Sequence, residues 1–211
     1  MPAKLTENEA QSRRDEILAK ASKAFAAKGY DKTTVRDLEQ ATGLTRGGIF
    51  FYFPSKRDVY RGVLNQCMGE GLPVVRDALL AARTAEEAGM AAYATILEWY
   101  NNHPETIQLF HQMDMARNTD SEIGTMRDEI NAGFVQFMVS IVREMQSAGI
   151  YGAHLDPEAT AMVMHSVMDN LVEYAYAHPR HEADEFARRA FAVMADGLRP
   201  KEDSPRPPTD G

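Results

Sequence analysis

One cysteine, one tryptophan and no apolar run of membrane-spanning length mark this 211-residue chain by what it has little of. The single Cys67 excludes a disulfide framework within one chain and fits a reducing, cytoplasmic setting. A lone helical cysteine most often serves as a small apolar residue. No stretch approaches the roughly 18 apolar residues of a membrane span, and the N-terminus is too polar for a secretion signal, so no membrane partner is expected. Also missing are a Gly-rich phosphate loop after a strand, a G-x-S-x-G turn and an H-E-x-x-H helix. That leaves a helical enzyme as the alternative reading, not the leading one.

Positive charge is short overall, with a net charge of −8. Its distribution is uneven. Residues 1–61 carry 12 Lys+Arg against 8 Asp+Glu, and the remainder carries 11 against 23. A basic N-terminal module on an acidic body is the asymmetry expected when one end meets phosphate.

Within the basic part, Thr33 to Lys56 organises everything else. Thr34-x-x-Asp37 has the form of a capping box and opens a short helix through Val35 and Leu38. Gly43 allows the chain to reverse, Leu44 plugs the corner, and Thr45 caps a second short helix through Ile49. Pro54 stops that helix, and Ser55-x-x-Asp58 repeats the capping spacing at the start of the next. Helix, glycine turn, helix is the helix-turn-helix arrangement, whose second helix enters the major groove of DNA. A purely structural αα-corner is the bland alternative. Against it, Arg46, Gly47 and Gly48 fill the first turn of the second helix, where two glycines cost about 1 kcal/mol each relative to alanine. A helix pressed against a groove has a use for them.

The remaining periodicity is helical throughout. A first helix is expected from about Glu9 to Lys28, its Ala24 and Phe25 packing under the corner with Tyr30, Val35, Leu38, Leu44, Ile49 and Phe53. A fourth runs from Lys56 to about Gly69, broken by Gly69, Gly71 and Pro73, with a separate helix from Pro73 to about Arg83. Others are expected from about Ala85 to Asn101, from Pro104 to about Arg117, from about Ser121 to Ala148, from Pro157 (capped by Asp156) to His178, and from about Glu182 to Leu198. The last two carry more apolar residues than one core-facing stripe needs, which favours a second buried face; a fully buried monomer core is the other possibility. The fold class is therefore all-α: a helix-turn-helix domain over 1–55, a helical ligand-binding and dimerisation bundle over 56–198, and a proline-rich tail over 199–211 expected to be disordered.

Ala-Phe-Ala-Ala-Lys-Gly-Tyr-Asp-Lys-Thr-Thr-Val, followed by Ala-Thr-Gly-Leu-Thr-Arg-Gly-Gly-Ile-Phe-Phe-Tyr-Phe-Pro-Ser-Lys, resembles the DNA-binding domain of TetR-type transcriptional regulators over about residues 12–65. Within that family the stretch is similar to the subgroup containing the actinobacterial aconitase repressor, which shares Arg-Gly-x-Ile-Phe. The resemblance implies a homodimer on double-stranded, palindromic operator DNA, most often a repressor released by a small-molecule effector and dimerised through its last two helices. It places Thr34, Thr45, Arg46, Gly47, Phe51, Tyr52 and Lys56 on positions that usually contact DNA, with Lys56 at a helix N-terminus for a phosphate. One departure stands out: Phe50 replaces a tyrosine whose hydroxyl usually binds phosphate.

For the effector the body offers Met and aromatic residues suited to an adaptable apolar pocket, or to ordinary core packing: Tyr93, Trp99, Phe110 and Met138 among them. His111 with Asp114, and His165 with Asp169, stand three and four residues apart, each pair on one helix face. The four together could hold a divalent metal with a carboxylate ligand, or could simply satisfy one another or water. Arg117 and Asn170 are further ligand-recognition or dimer-contact candidates.

Overall fold

A computed structural model describes residues 6–116 and 121–200. Among them lie nine α-helices: α1 Glu7–Lys28, α2 Val35–Thr42, α3 Arg46–Tyr52, α4 Lys56–Leu80, α5 Ala85–Asn102, α6 Pro104–Ala116, α7 Ser121–Ser147, α8 Pro157–Ala177 and α9 Arg180–Leu198. The tail expected to be disordered lies almost wholly outside the described residues.

Local chemistry sets most of the helix ends. Thr34 and Asp37 form the reciprocal capping box, Gly43 takes a left-handed conformation (φ 73°), and Thr45 accepts from the Gly48 N–H at 3.2 Å. Asp156 caps α8 with Pro157 behind it, as the spacing predicts. At α1 a second capping box, Thr6 with Glu9, starts the helix at Glu7 instead of Glu9.

The fourth helix departs from expectation. It is a single element from Lys56 to Leu80, with Pro73 inside it. An internal proline removes one i→i−4 hydrogen bond and crowds the carbonyl four residues back. Here that carbonyl belongs to Gly69, which is exposed, so water can take the bond that Pro73 cannot. Val63 and Leu64 before the proline and Val75 and Leu79 after it are buried, and helices are held mainly by such packing rather than by propensity. Gly71 also has a reason beyond flexibility: a Cβ there would come 3.2 Å from the Trp99 indole.

Two compact units divide the chain, one of residues 1–70 and 100–130, the other of residues 71–99 and 131–211. In the first, Ile17, Leu18, Ala21 and Phe25 of α1 meet Leu38, Ile49, Phe53 and the Val59–Leu64 turn of α4. Leu109 and Met113 of α6 and Ile123 and Met126 of α7 complete that core. Phe25 is central: its ring is stacked with Tyr30 at 6.2 Å between centroids and edge-on to Tyr60 at 4.9 Å. In the second unit, Val139, Val142 and Met145 of α7 pack with Ala88, Ala92 and Tyr151. Beside them Tyr93 and Leu97 pack with Leu171 and Phe191. Gly89 sits flat under Phe191, so that any Cβ at 89 would overlap the ring.

Candidate nucleic-acid interface

The corner is built so that α3 shows an outer face. Ile49 is fully buried and Phe53 nearly so, and they anchor α3 on α1 and α4. Arg46, Gly47 and Phe51 are exposed; the Phe51 ring, at 77% exposure, is an unusual expense for a residue with no structural task. Space beyond Gly47 is open, with nothing within 4 Å of where a Cβ would stand. Tyr52 is half-buried with its ring edge-on to Phe51 at 5.0 Å.

Thr34 and Thr45 are exposed, but each hydroxyl is already at work. Thr34 Oγ1 accepts from the Asp37 N–H at 3.2 Å and donates to Asp37 Oδ2 at 2.7 Å. Asp37 also takes the Lys28 ammonium. Those partners, Lys28 first and then the Thr34 hydroxyl and N–H, hold the Asp37 carboxyl well below the usual carboxylate range. A depressed folded-state pKa stabilises fully above the unfolded value of about 3.9, and the contribution is lost as pH falls below it. Thermal unfolding followed from about pH 5 to pH 2 should therefore show a steeper loss for the wild type than for Asp37→Asn; parallel curves would mean the three partners do not hold the carboxylate in solution.

Lys56 is oriented otherwise than the resemblance implies. Its Nζ donates to the carbonyls of Tyr30 at 2.8 Å and Thr33 at 3.1 Å, and lies 4.2 Å from the Tyr30 ring centroid. Two of three ammonium protons thus brace the α1–α2 loop from the start of α4. The charge stays at the α1–α2 loop, and a phosphate would share it with those carbonyls.

Two further contacts fix Arg46. Arg46 and Phe50 are four apart on α3, and the guanidinium lies 5.4 Å above the Phe50 ring centroid. Glu39 of α2 accepts the Arg46 backbone N–H at 2.6 Å, satisfying one of the free donors at the helix start.

The residues expected to bind an effector or metal fall in both units. His111 is exposed in the first unit, lining a hollow of about 310 Å³ with Lys28, Lys32, Tyr60 and Gln112. The side chain of Asp114, and the whole of Arg117, lie outside the described residues. His165 belongs to the second unit, where it packs on the Phe134 ring at 4.5 Å and its Nε2 stands 3.3 Å from Asp169 Oδ2. Among the described residues no three His, Cys, Asp or Glu side chains are grouped to hold a metal ion. Of the four residues expected to hold a metal, the structure describes His165 and Asp169 as a pair on one face of α8. Phe110 packs on the core of the first unit, Tyr93 and Met138 lie in the cores of the second, and Trp99 covers Gly71. Asn170 donates to the Ser166 carbonyl at 2.7 Å. Tyr93 Oη is buried, and burial, followed by the nearby Asp184 carboxylate, raises its pKa. No helix among the described residues is long and apolar enough to cross a membrane.

The sequence profile described as bacterial regulatory proteins, tetR family, matches residues 17–63, which are α1 from its middle, the helix-turn-helix and the start of α4. Residues 17–63 thus form a TetR-family DNA-binding domain. The whole chain is 23% identical to the HTH-type transcriptional repressor KstR2 of Rhodococcus jostii, over 88% of this chain and 91% of that one. Likeness to the HTH-type transcriptional repressor Rv1474c of Mycobacterium tuberculosis is higher but local: 51% identity over 25% of this chain and 28% of that one. The crystal structure of a TetR-family regulator from Cytophaga hutchinsonii shares the fold, with a TM-score of 0.69 at 19% identity, covering 95% of this chain and all of that one.

Proposed function

We propose that the chain is a transcriptional repressor that binds a palindromic operator as a homodimer and is released by a small-molecule effector. Residues 1–55 form the reading head and residues 56–198 the ligand-binding and dimerisation part. The observation that carries this reading is the outer face of α3, where Arg46, Gly47 and Phe51 stand exposed on a helix whose inner face is locked by Ile49. Arg46 is placed to meet base edges, Gly47 lets the backbone approach, and Phe51 can contact a thymine methyl. Thr34, Thr45, Tyr52 and Lys56 surround that face as backbone contacts.

Dimerisation is supported by a second exposed surface. Met162, Val163 and Tyr176 on α8, with Phe186 and Val193 on α9, leave large apolar groups in water; Val193 is 77% exposed. Self-association of these two helices would bury them and set two heads at the half-site spacing of about 34–36 Å. The effector is the least defined partner. Its pocket belongs among the Met and aromatic side chains of the body, and it would act by favouring an arrangement in which the half-site spacing is lost.

Selection of genomic fragments with the purified full chain at fixed salt tests the reading. A recovered palindrome, bound about 10³-fold or more above non-specific DNA by a species that sediments as a dimer, is the expected result. Equal binding to all fragments, with and without added metal ions or citrate as a co-repressor probe, would reduce the helix-turn-helix to a structural corner.

A further inference from the structure

We propose that Glu39 and Phe50 are specificity-determining positioning residues, which fix the pose of Arg46 so that it reads one guanine in each half-site. This rests on the DNA-binding reading above. An arginine on an exposed seven-residue helix would ordinarily wander, because its side chain carries about 2 kcal/mol of rotamer entropy. Here it is held at both ends. At the backbone end, the Glu39 carboxylate accepts the Arg46 N–H at 2.6 Å and so ties the first residue of α3 to the middle of α2. At the far end, the guanidinium carbon lies 5.4 Å from the Phe50 ring centroid. Phe50 is half-buried and packed against the core of the first unit, so the platform itself does not move.

Stacking suits this task in a way an ion pair would not. A guanidinium carries its N–H donors in its own plane, so a ring beneath its face leaves the edge free. That edge matches the O6 and N7 acceptors of guanine in the major groove, the arrangement in which arginine discriminates most strongly. Glu39, for its part, bonds the backbone of Arg46 and not the guanidinium edge. Its carboxylate also occupies the Arg46 N–H, so a DNA phosphate cannot use that donor and shift α3 along the groove. The pair thus sets both where Arg46 begins and where it points.

The test uses the full chain and the operator it selects. The base pair read by Arg46 is first located as the position at which Arg46→Ala loses its preference. Four variants are then compared there: Glu39→Ala, Glu39→Gln, Phe50→Leu and Phe50→Tyr. Affinity for guanine against adenine at that pair, non-specific affinity, salt dependence and thermal midpoint are measured for each. Glu39→Ala and Phe50→Leu should lower the guanine preference by about 3- to 10-fold, with non-specific binding and its salt slope unchanged. Glu39→Gln keeps the acceptor and Phe50→Tyr keeps the ring, so both should hold the guanine preference within about 2-fold of wild type, whatever the added tyrosine hydroxyl does to non-specific binding. If the first two variants keep the guanine preference, or weaken binding to every sequence alike, the positioning role is wrong and the residues only support the fold. If the wild type itself prefers no sequence, the DNA-binding reading fails and takes this inference with it.

Discussion

Arg46→Ala is expected to leave a protein that still binds DNA but has lost its preference at one base pair in each half-site. Arg46 is exposed at the first position of α3, the turn that enters the groove, and its backbone is fixed by Glu39. A bidentate arginine–guanine contact is worth about 1–3 kcal/mol of discrimination, so the specific complex should weaken roughly 5- to 150-fold per half-site. Binding to unrelated DNA, which depends on phosphate contacts and not on base edges, should change far less. Lys56→Ala supplies the contrast. It removes a charge and two hydrogen bonds from the α1–α2 loop, so it should weaken binding to every sequence alike and flatten the salt dependence. Competition titrations at several salt concentrations separate the two patterns. If Arg46→Ala retains full sequence preference, α3 does not read the groove through its first turn.

Phe25→Ala should cost about 3–5 kcal/mol of stability, most of what a domain of this size can spare. The ring is fully buried, packed against Tyr30 and Tyr60, and surrounded by side chains from α1, α2 and α4. Removing it leaves a cavity in that cluster. The same ring supports Tyr30, whose carbonyl and face hold Lys56, so loss of packing should reach the DNA face as well. Urea unfolding should show a midpoint shifted strongly downwards, and DNA binding should fall at temperatures where the wild type is intact. Phe25→Leu keeps most of the volume and should cost well under half as much. A midpoint for Phe25→Ala within about 1 kcal/mol of wild type would mean that the three-ring cluster is not what holds the head together.

Sequence reasoning succeeded where the cause is local. Thr34 with Asp37, Gly43, Thr45, and Asp156 with Pro157 each act within a few residues, and each forms the cap or turn its spacing predicts. Pro73 was misleading because its penalty is local while its compensation is not: Val75 and Leu79 repay it by burial against a core the sequence does not display. Lys56 shows the same limit from the side of function. Its position at the start of α4 was legible, but the carbonyls that turn its ammonium inward lie 23 and 26 residues away. The His–Asp pairs expose a further gap. Spacing says that His165 and Asp169 share a face, which they do, but says nothing of which other face they meet. Conversely, the four-residue spacing of Arg46 and Phe50 places them on one face of α3, where they meet.

The flat contact between Gly89 and Phe191 constrains how this chain can diverge. A methyl group at 89 has nowhere to go while the ring stands at 191, and a smaller side chain at 191 would leave a void over the bare glycine. Neither position can drift alone, although they are 102 residues apart in the chain and meet only in the fold. Relatives that carry alanine or larger at 89 should carry a smaller or reshaped residue at 191, so the two columns of an alignment should change together. A residue at 89 therefore reports, in any relative's sequence, on how α5 and α9 are packed.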